Sequence, residues 1–196
     1  MVSVGITGGI GSGKSYVCHM LEEWGYPVYH TDDEAKRLMT EDEQLKDALR
    51  YVIGDDTYDA EGRLNKTVVA SYLFASEEHA EQVNRLVHPC VKQDFLSWRD
   101  RQSADVVFME SAILFESHFD DVVDRIVFVS APDDIRIERT IRRDRTTREK
   151  VEERIRRQWP QQQIADRSDY VIVNDGTNDL EQSLRQVLEQ ILNSKS

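Results

Sequence analysis

Residues 8–15 read Gly8-Gly9-Ile10-Gly11-Ser12-Gly13-Lys14-Ser15, a complete G-x-x-x-x-G-K-[ST] pattern. The chemistry of that spacing is capture of a polyphosphate. Gly8, Gly11 and Gly13 permit positive φ and close backbone approach, so that amide groups converge on one anion. A helix starting near Lys14 adds the positive end of its dipole. The Lys14 ammonium suits the bridging position between the β and γ phosphates, and the Ser15 hydroxyl suits Mg²⁺.

Acidic and basic groups elsewhere could complete a phosphoryl transfer. His30-Thr31-Asp32-Asp33 follows a short apolar run. A carboxylate there could orient an attacking hydroxyl or accept its proton. The competing assignment is a helix cap by Thr31 or Asp32. Glu110 ends the run Val106-Val107-Phe108-Met109, where it could hold a metal through water or anchor the loop. His88 precedes Pro89 on a helical stretch, a setting shared by packed histidines and by ligands. Residues 132–160 hold nine arginines: Arg136, Arg139, Arg142, Arg143, Arg145, Arg148, Arg154, Arg156 and Arg157. Guanidinium groups bind phosphate oxygens through two parallel hydrogen bonds. With a break near Asp144–Thr147, the segment predicts a helix–turn–helix lid. Most of its arginines are expected on solvent, paired along the helices, and two or three on one face are expected to act.

These groups need a scaffold, and the apolar runs supply one. Val2–Ile6, Pro27–Tyr29, Val106–Met109, Ile126–Val129 and Tyr170–Val173 read as buried strands, each followed by turn residues and helical pattern. That alternation predicts an α/β fold, a five-stranded mostly parallel sheet with helices on both faces. Ligands bind such sheets beyond the carboxyl ends of the strands. Tyr16–Trp24 predicts the helix after the glycine loop. Between the second and third strands lie about 75 residues, too many for a loop. Glu34–Tyr51, Lys66–Phe74 and Glu77–Arg101 are the helices expected there, with Gly54–Gly62 as a break. Asp179–Leu192 carries Leu180, Leu184, Val187, Leu188 and Ile191 on one face, an amphipathic helix for the sheet.

The bulk numbers narrow the class. The chain has 196 residues and a net charge of −12, which argues against a nucleic-acid surface. Its two cysteines, Cys18 and Cys90, do not make a disulfide framework, and Cys18 falls on the apolar stripe of the first helix. No run approaches the roughly 18 apolar residues of a membrane span. No basic n-region precedes an apolar stretch. A cytoplasmic protein with no membrane or nucleic-acid partner is expected, as a monomer or small homo-oligomer.

At this point the sequence resembles the dephospho-coenzyme A kinase family over nearly its whole length. The motifs are Ile6-Thr7 with the glycine loop, Trp24-Gly25-Tyr26-Pro27-Val28, Thr31-Asp32, His88-Pro89, Ile113-Leu114-Phe115-Glu116, Arg143-Asp144 with Thr147-Arg148-Glu149, Arg154 with Gln158, and Asp169 with Asn174-Asp175-Gly176. His30 stands where the family has the first aspartate of Asp-Ala-Asp, and Ala112 where it has a proline. The resemblance implies a three-layer phosphate-loop kinase, a single domain over 1–196 with a helical substrate-binding insertion at 33–101 and a lid at 132–160. It implies ATP-dependent phosphorylation of the ribose 3′-hydroxyl of dephospho-coenzyme A, with Mg²⁺. The implied catalytic residues are Asp32, Lys14 and Arg143. ATP falls to Gly9, Ile10, Gly11, Ser12, Gly13, Lys14, Ser15, Tyr16 and Asn174, the metal to Ser15, and the acceptor to Thr7, Asp32, His88, Leu114 and Glu116. A kinase acting on a nucleoside or nucleotide shares this architecture, and the acceptor separates the two. A GTPase-like switch would need Asn-Lys-x-Asp, but Asn65-Lys66-Thr67-Val68 lacks the aspartate. It would also need Asp-x-x-Gly after a strand, and Glu110-Ser111-Ala112-Ile113 does not supply it.

Overall fold

β-Branched residues before the glycine loop form β1 (Val2–Thr7), which a computed structural model, describing residues 1–193, places at the centre of a five-stranded parallel sheet. The other strands are β2 (Val28–His30), β3 (Val106–Glu110), β4 (Arg125–Ser130) and β5 (Tyr170–Val173), in the order β2-β3-β1-β4-β5. Ile6 lies opposite Glu110 on β3 and Val127 on β4, and Thr7 opposite Phe128. The glycine loop and the Glu110 carboxylate therefore leave the sheet at the same edge. The middle strands read as unbroken apolar runs because both of their faces are covered.

Alternation along β1 divides the two faces. Val4 and Ile6 face α1 (Lys14–Glu23) through Val17, Cys18 and Leu21. The carboxyl-terminal helix joins the same cluster with Leu184, Leu188 and Ile191. Burial of each such side chain contributes about 1.5–3 kcal/mol. Gly5 points the other way, where an added Cβ would run into Leu114 and Val123. Burial pushes the Cys18 thiol far up from its ordinary pKa, so it is an uncharged packing residue, as expected.

Residues 30–101 form a compact unit of their own. It consists of α2 (Thr31–Glu41), α3 (Glu43–Ile53), α4 (Lys66–Ala75) and α5 (Glu77–Asp100). The single helix expected over 34–51 is two. Asp42 breaks it by taking extended backbone and accepting a hydrogen bond from Leu45 N at 2.9 Å. This is an aspartate cap in mid-pattern. Leu38, Leu45, Leu49, Val87, Val91 and Phe95 are buried. Tyr58 donates its hydroxyl to the Met39 carbonyl at 2.6 Å. Arg37 joins α2 to α5 through Asp94 at 2.7 Å.

The arginine-rich segment folds as α6 (Asp133–Asp144) and α7 (Arg148–Arg156), reversed at Arg145 with a φ of 50°. Then follow α8 (Gln161–Asp166), β5 and α9 (Leu180–Asn193). No helix among the described residues is long and apolar enough to cross a membrane.

Candidate active site

The glycine loop closes on Gly13, the cap of α1, with φ 95°. The Asn174 amide nitrogen occupies the space a Cβ would take at Gly13, so both conformation and room demand glycine. The amides of Tyr16 and Val17 donate to the Gly13 carbonyl at 3.0 and 3.2 Å. The first turn of a helix has N–H groups without helical acceptors, and α1 presents those of Lys14 and Ser15 at the sheet edge. Ser15 and Tyr16 are exposed.

The Lys14 ammonium forms an ion pair with Glu110, and each side chain is only 12% exposed. Of the two alternatives for Glu110, the structure brings it to the lysine. The Ser12 hydroxyl is buried and without a hydrogen-bond partner among the described residues. A buried polar atom of that kind calls for a polar partner, and a polyphosphate oxygen fits it. No cluster of three or more metal-ligating side chains occurs among the described residues.

Four side chains brace the loop from outside. Asn174 Nδ2 donates to the Ser12 carbonyl at 2.8 Å. Arg139 donates to the Ser12 carbonyl at 3.4 Å and to the Asn174 backbone carbonyl and side-chain oxygen at 3.1 and 3.2 Å. Arg136 donates to the Ile10 carbonyl at 3.0 Å, and Ile10 N donates to Gln158 Oε1 at 2.9 Å. Two residues assigned to ATP also hold the loop: the Ile10 amide donates to Gln158, and the Asn174 side chain donates to the Ser12 carbonyl. Arg136, Arg139 and Gln158 lay within recognised motifs or the arginine island, yet none was assigned to the loop. The signal was spacing: Arg136, Arg139, Thr140 and Arg143 share one helical face, and Arg136, Ile137 and Thr140 are buried on it.

Arg143 lies farther along α6 and is 60% exposed at its side chain. Its Nε donates to Asp144 Oδ1 at 2.7 Å, and Arg154 of α7 donates to Asp144 Oδ2 at 2.7 Å. Hydrogen bonds from Arg143 and then Arg154 hold the Asp144 carboxyl down at about 2. One carboxylate thus gathers two guanidinium groups from different helices.

The segment expected to meet the acceptor divides. Leu114 is fully buried, with its side chain against Gly5. Its side chain packs in the core. Thr7 is also buried. Glu116 accepts from Trp159 N at 3.4 Å. Phe115 and Trp159 stack at 5.6 Å with 6° between their planes. Arg167 lies over both rings. In the helical unit, Asp32 is exposed in the first turn of α2, and His88 is half-buried on α5. The helix starts at Thr31, so the cap position is His30, which makes no side-chain cap bond. Asp32 is therefore not the cap.

Comparison with known proteins adds the following. The family model for dephospho-CoA kinase matches residues 2–179. A dephospho-CoA kinase of Bacteroides fragilis is 46% identical over 191 residues, covering 97% of this chain and 91% of that protein. One of Chlorobaculum tepidum is 39% identical over 198 residues, covering 97% and 93%. A crystal structure from Thermus thermophilus superposes with a TM-score of 0.82 at 32% identity, covering 100% and 98%. A shikimate kinase of Acinetobacter baumannii shares the fold alone, with a TM-score of 0.58 at 15% identity and coverage of 100% and 95%.

Proposed function

The chain belongs to the dephospho-CoA kinase family, which phosphorylates dephospho-coenzyme A with ATP in coenzyme A synthesis, and on that premise we propose which residues carry each part of the transfer. Phosphoryl transfer needs positioning and charge neutralisation more than covalent chemistry. The polyphosphate belongs on the loop, met by the Ser12 hydroxyl and the amides that open α1. Lys14 exchanges its Glu110 partner for the β and γ phosphates. Arg143 leaves Asp144 for the transferring phosphoryl group. Asp32 orients the ribose 3′-hydroxyl and accepts its proton. Thr7, His88, Leu114 and Glu116 are assigned to the acceptor, as the family resemblance implies, and residues 33–101 are the proposed substrate-binding insertion.

Phosphate-loop kinases act on ATP with a divalent metal, and we assign Mg²⁺ with the Ser15 hydroxyl as its protein ligand. When bound, the ion would supply neutralisation of phosphate charge.

The observation that carries this reading is the complete loop, folded between β1 and α1 with Lys14 beside a buried carboxylate. The test is ADP release from ATP with a panel of acceptors: dephospho-coenzyme A, nucleosides, nucleotides and shikimate. Turnover confined to dephospho-coenzyme A is expected. Preference for a nucleoside or nucleotide would overturn the acceptor assignment.

The lid assignment has its own test. Arg143→Lys keeps the charge but loses the planar fork, and turnover is expected to fall about tenfold to a hundredfold, since one transition-state donor is worth roughly that. Arg156 is exposed, and Arg156→Lys is expected to stay within about twofold. Equal, small effects at both positions would make the arginine segment a charged surface.

A further inference from the structure

The peptide groups of Ile10 are gripped by side chains far along the chain. Its N–H donates to Gln158 Oε1 at 2.9 Å, and its carbonyl accepts from Arg136 Nε at 3.0 Å. The two gripping side chains also meet, with Arg136 Nη2 at 3.4 Å from Gln158 Oε1. Arg136 is only 3% exposed. A buried guanidinium is costly unless its charge and donors are matched. Asp133 matches the charge at 2.8 Å, while Ile10 and Gln158 take the other donors.

The grip explains a glycine that turn geometry does not. Gly9 has no positive φ. A Cβ there would collide with the Arg136 guanidinium and stand 3.1 Å from Gln158 Oε1. Glycine at position 9 thus makes room for the arginine. Gln158 itself is fixed at the end of α7. Its amide donates to the Ile155 carbonyl at 3.1 Å, and the next residue, Trp159, is stacked on Phe115.

We infer that Gln158 and Arg136 are positioning residues for the nucleotide, orienting the Gly9–Gly11 stretch of the phosphate loop by holding the Ile10 peptide groups. This rests on the loop being the ATP site. With the Ile10 amide turned to Gln158, the stretch is kept from rotating. The later amides, at the start of α1, are then presented in a fixed geometry. Gln158 acts through the loop and touches no reacting atom. Because it closes the arginine-rich segment, it also ties the far end of the lid to the loop.

Two substitutions and one amide test the inference. Gln158→Met keeps the length and removes the acceptor. Gln158→Glu keeps an acceptor oxygen. The Ile10 amide is expected to be protected from hydrogen exchange in the wild type and in Gln158→Glu, and to exchange at least about tenfold faster in Gln158→Met. KM for ATP is expected to rise about tenfold in Gln158→Met and to recover in Gln158→Glu, with KM for dephospho-coenzyme A nearly unchanged. A role in stability alone would lower the melting temperature and the active fraction, hence apparent kcat, but leave KM for ATP where it was. An unchanged KM for ATP in folded Gln158→Met would overturn the inference. So would a wild-type Ile10 amide that exchanges like an exposed one, a measurement that needs no variant to fold. If the loop were not the ATP site, folded Lys14→Ala would keep near-wild-type turnover. The exchange at Ile10 would still report the grip, so the two failures are separable.

Discussion

Lys14→Ala is expected to yield a folded chain whose turnover is lower by about two to three orders of magnitude, the scale for loss of one transition-state charge contact. The Lys14–Glu110 pair adds a second expectation. Without the ammonium, a carboxylate only 12% exposed loses its ion pair. A hydrogen bond to a charged group contributes about 1.5–3 kcal/mol, so the melting temperature should fall as well. The double change Lys14→Ala with Glu110→Gln removes the charge that has lost its counter-ion. It should recover much of the melting temperature and none of the turnover. ADP release and thermal melts on both variants check this. Near-wild-type turnover in folded Lys14→Ala would remove the phosphate-loop assignment.

Asp32→Asn keeps the shape and removes the carboxylate. Turnover is expected to fall by about two to four orders of magnitude, the range for a positioned base, with ATP affinity little changed. Stability should hardly respond. Asp32 sits inside the first turn of α2 and is not its cap, so what is lost is its interaction with the helix dipole, about 0.3–1 kcal/mol, and its exposed attraction to Lys36. Single-turnover kinetics and ATP titration separate the two quantities. A variant retaining more than about a tenth of wild-type turnover would return Asp32 to a structural role.

The scaffold was legible where one physical rule acted alone. All five strands announced themselves as apolar runs, the middle three because a sheet covered on both faces tolerates little else there. The two helices α6 and α7 were legible from the break around Asp144–Thr147, and the phosphate loop from its glycines and lysine. Legibility failed where two rules competed. The 34–51 pattern is continuous in helical period, yet the Asp42 carboxylate offers the backbone a better partner and splits it. Charge misled most within the arginine segment. Arginine usually means solvent or ligand, so Arg136 was not expected in the interior, and only the loop carbonyl it holds explains why it lies there. Pairings such as Ile10 with Gln158 join residues whose contact no local pattern encodes.

The place of β1 in the sheet has a consequence in time. Its neighbours on both sides come from far downstream: Val2 aligns with Val106, and Thr7 with Phe128. The central strand therefore finds no lasting partner until most of the chain exists. Contacts at such separation are slow to form, because loop closure must precede any reward. The helices of residues 30–101 face no such delay, since the contacts that make them a unit lie within that stretch. The order of assembly thus runs against the order of the chain. The helical insertion can consolidate early, while the segment nearest the amino terminus, with its anion-binding turn, is set last, when β3, β4 and the bracing residues Arg136 and Gln158 are all in hand.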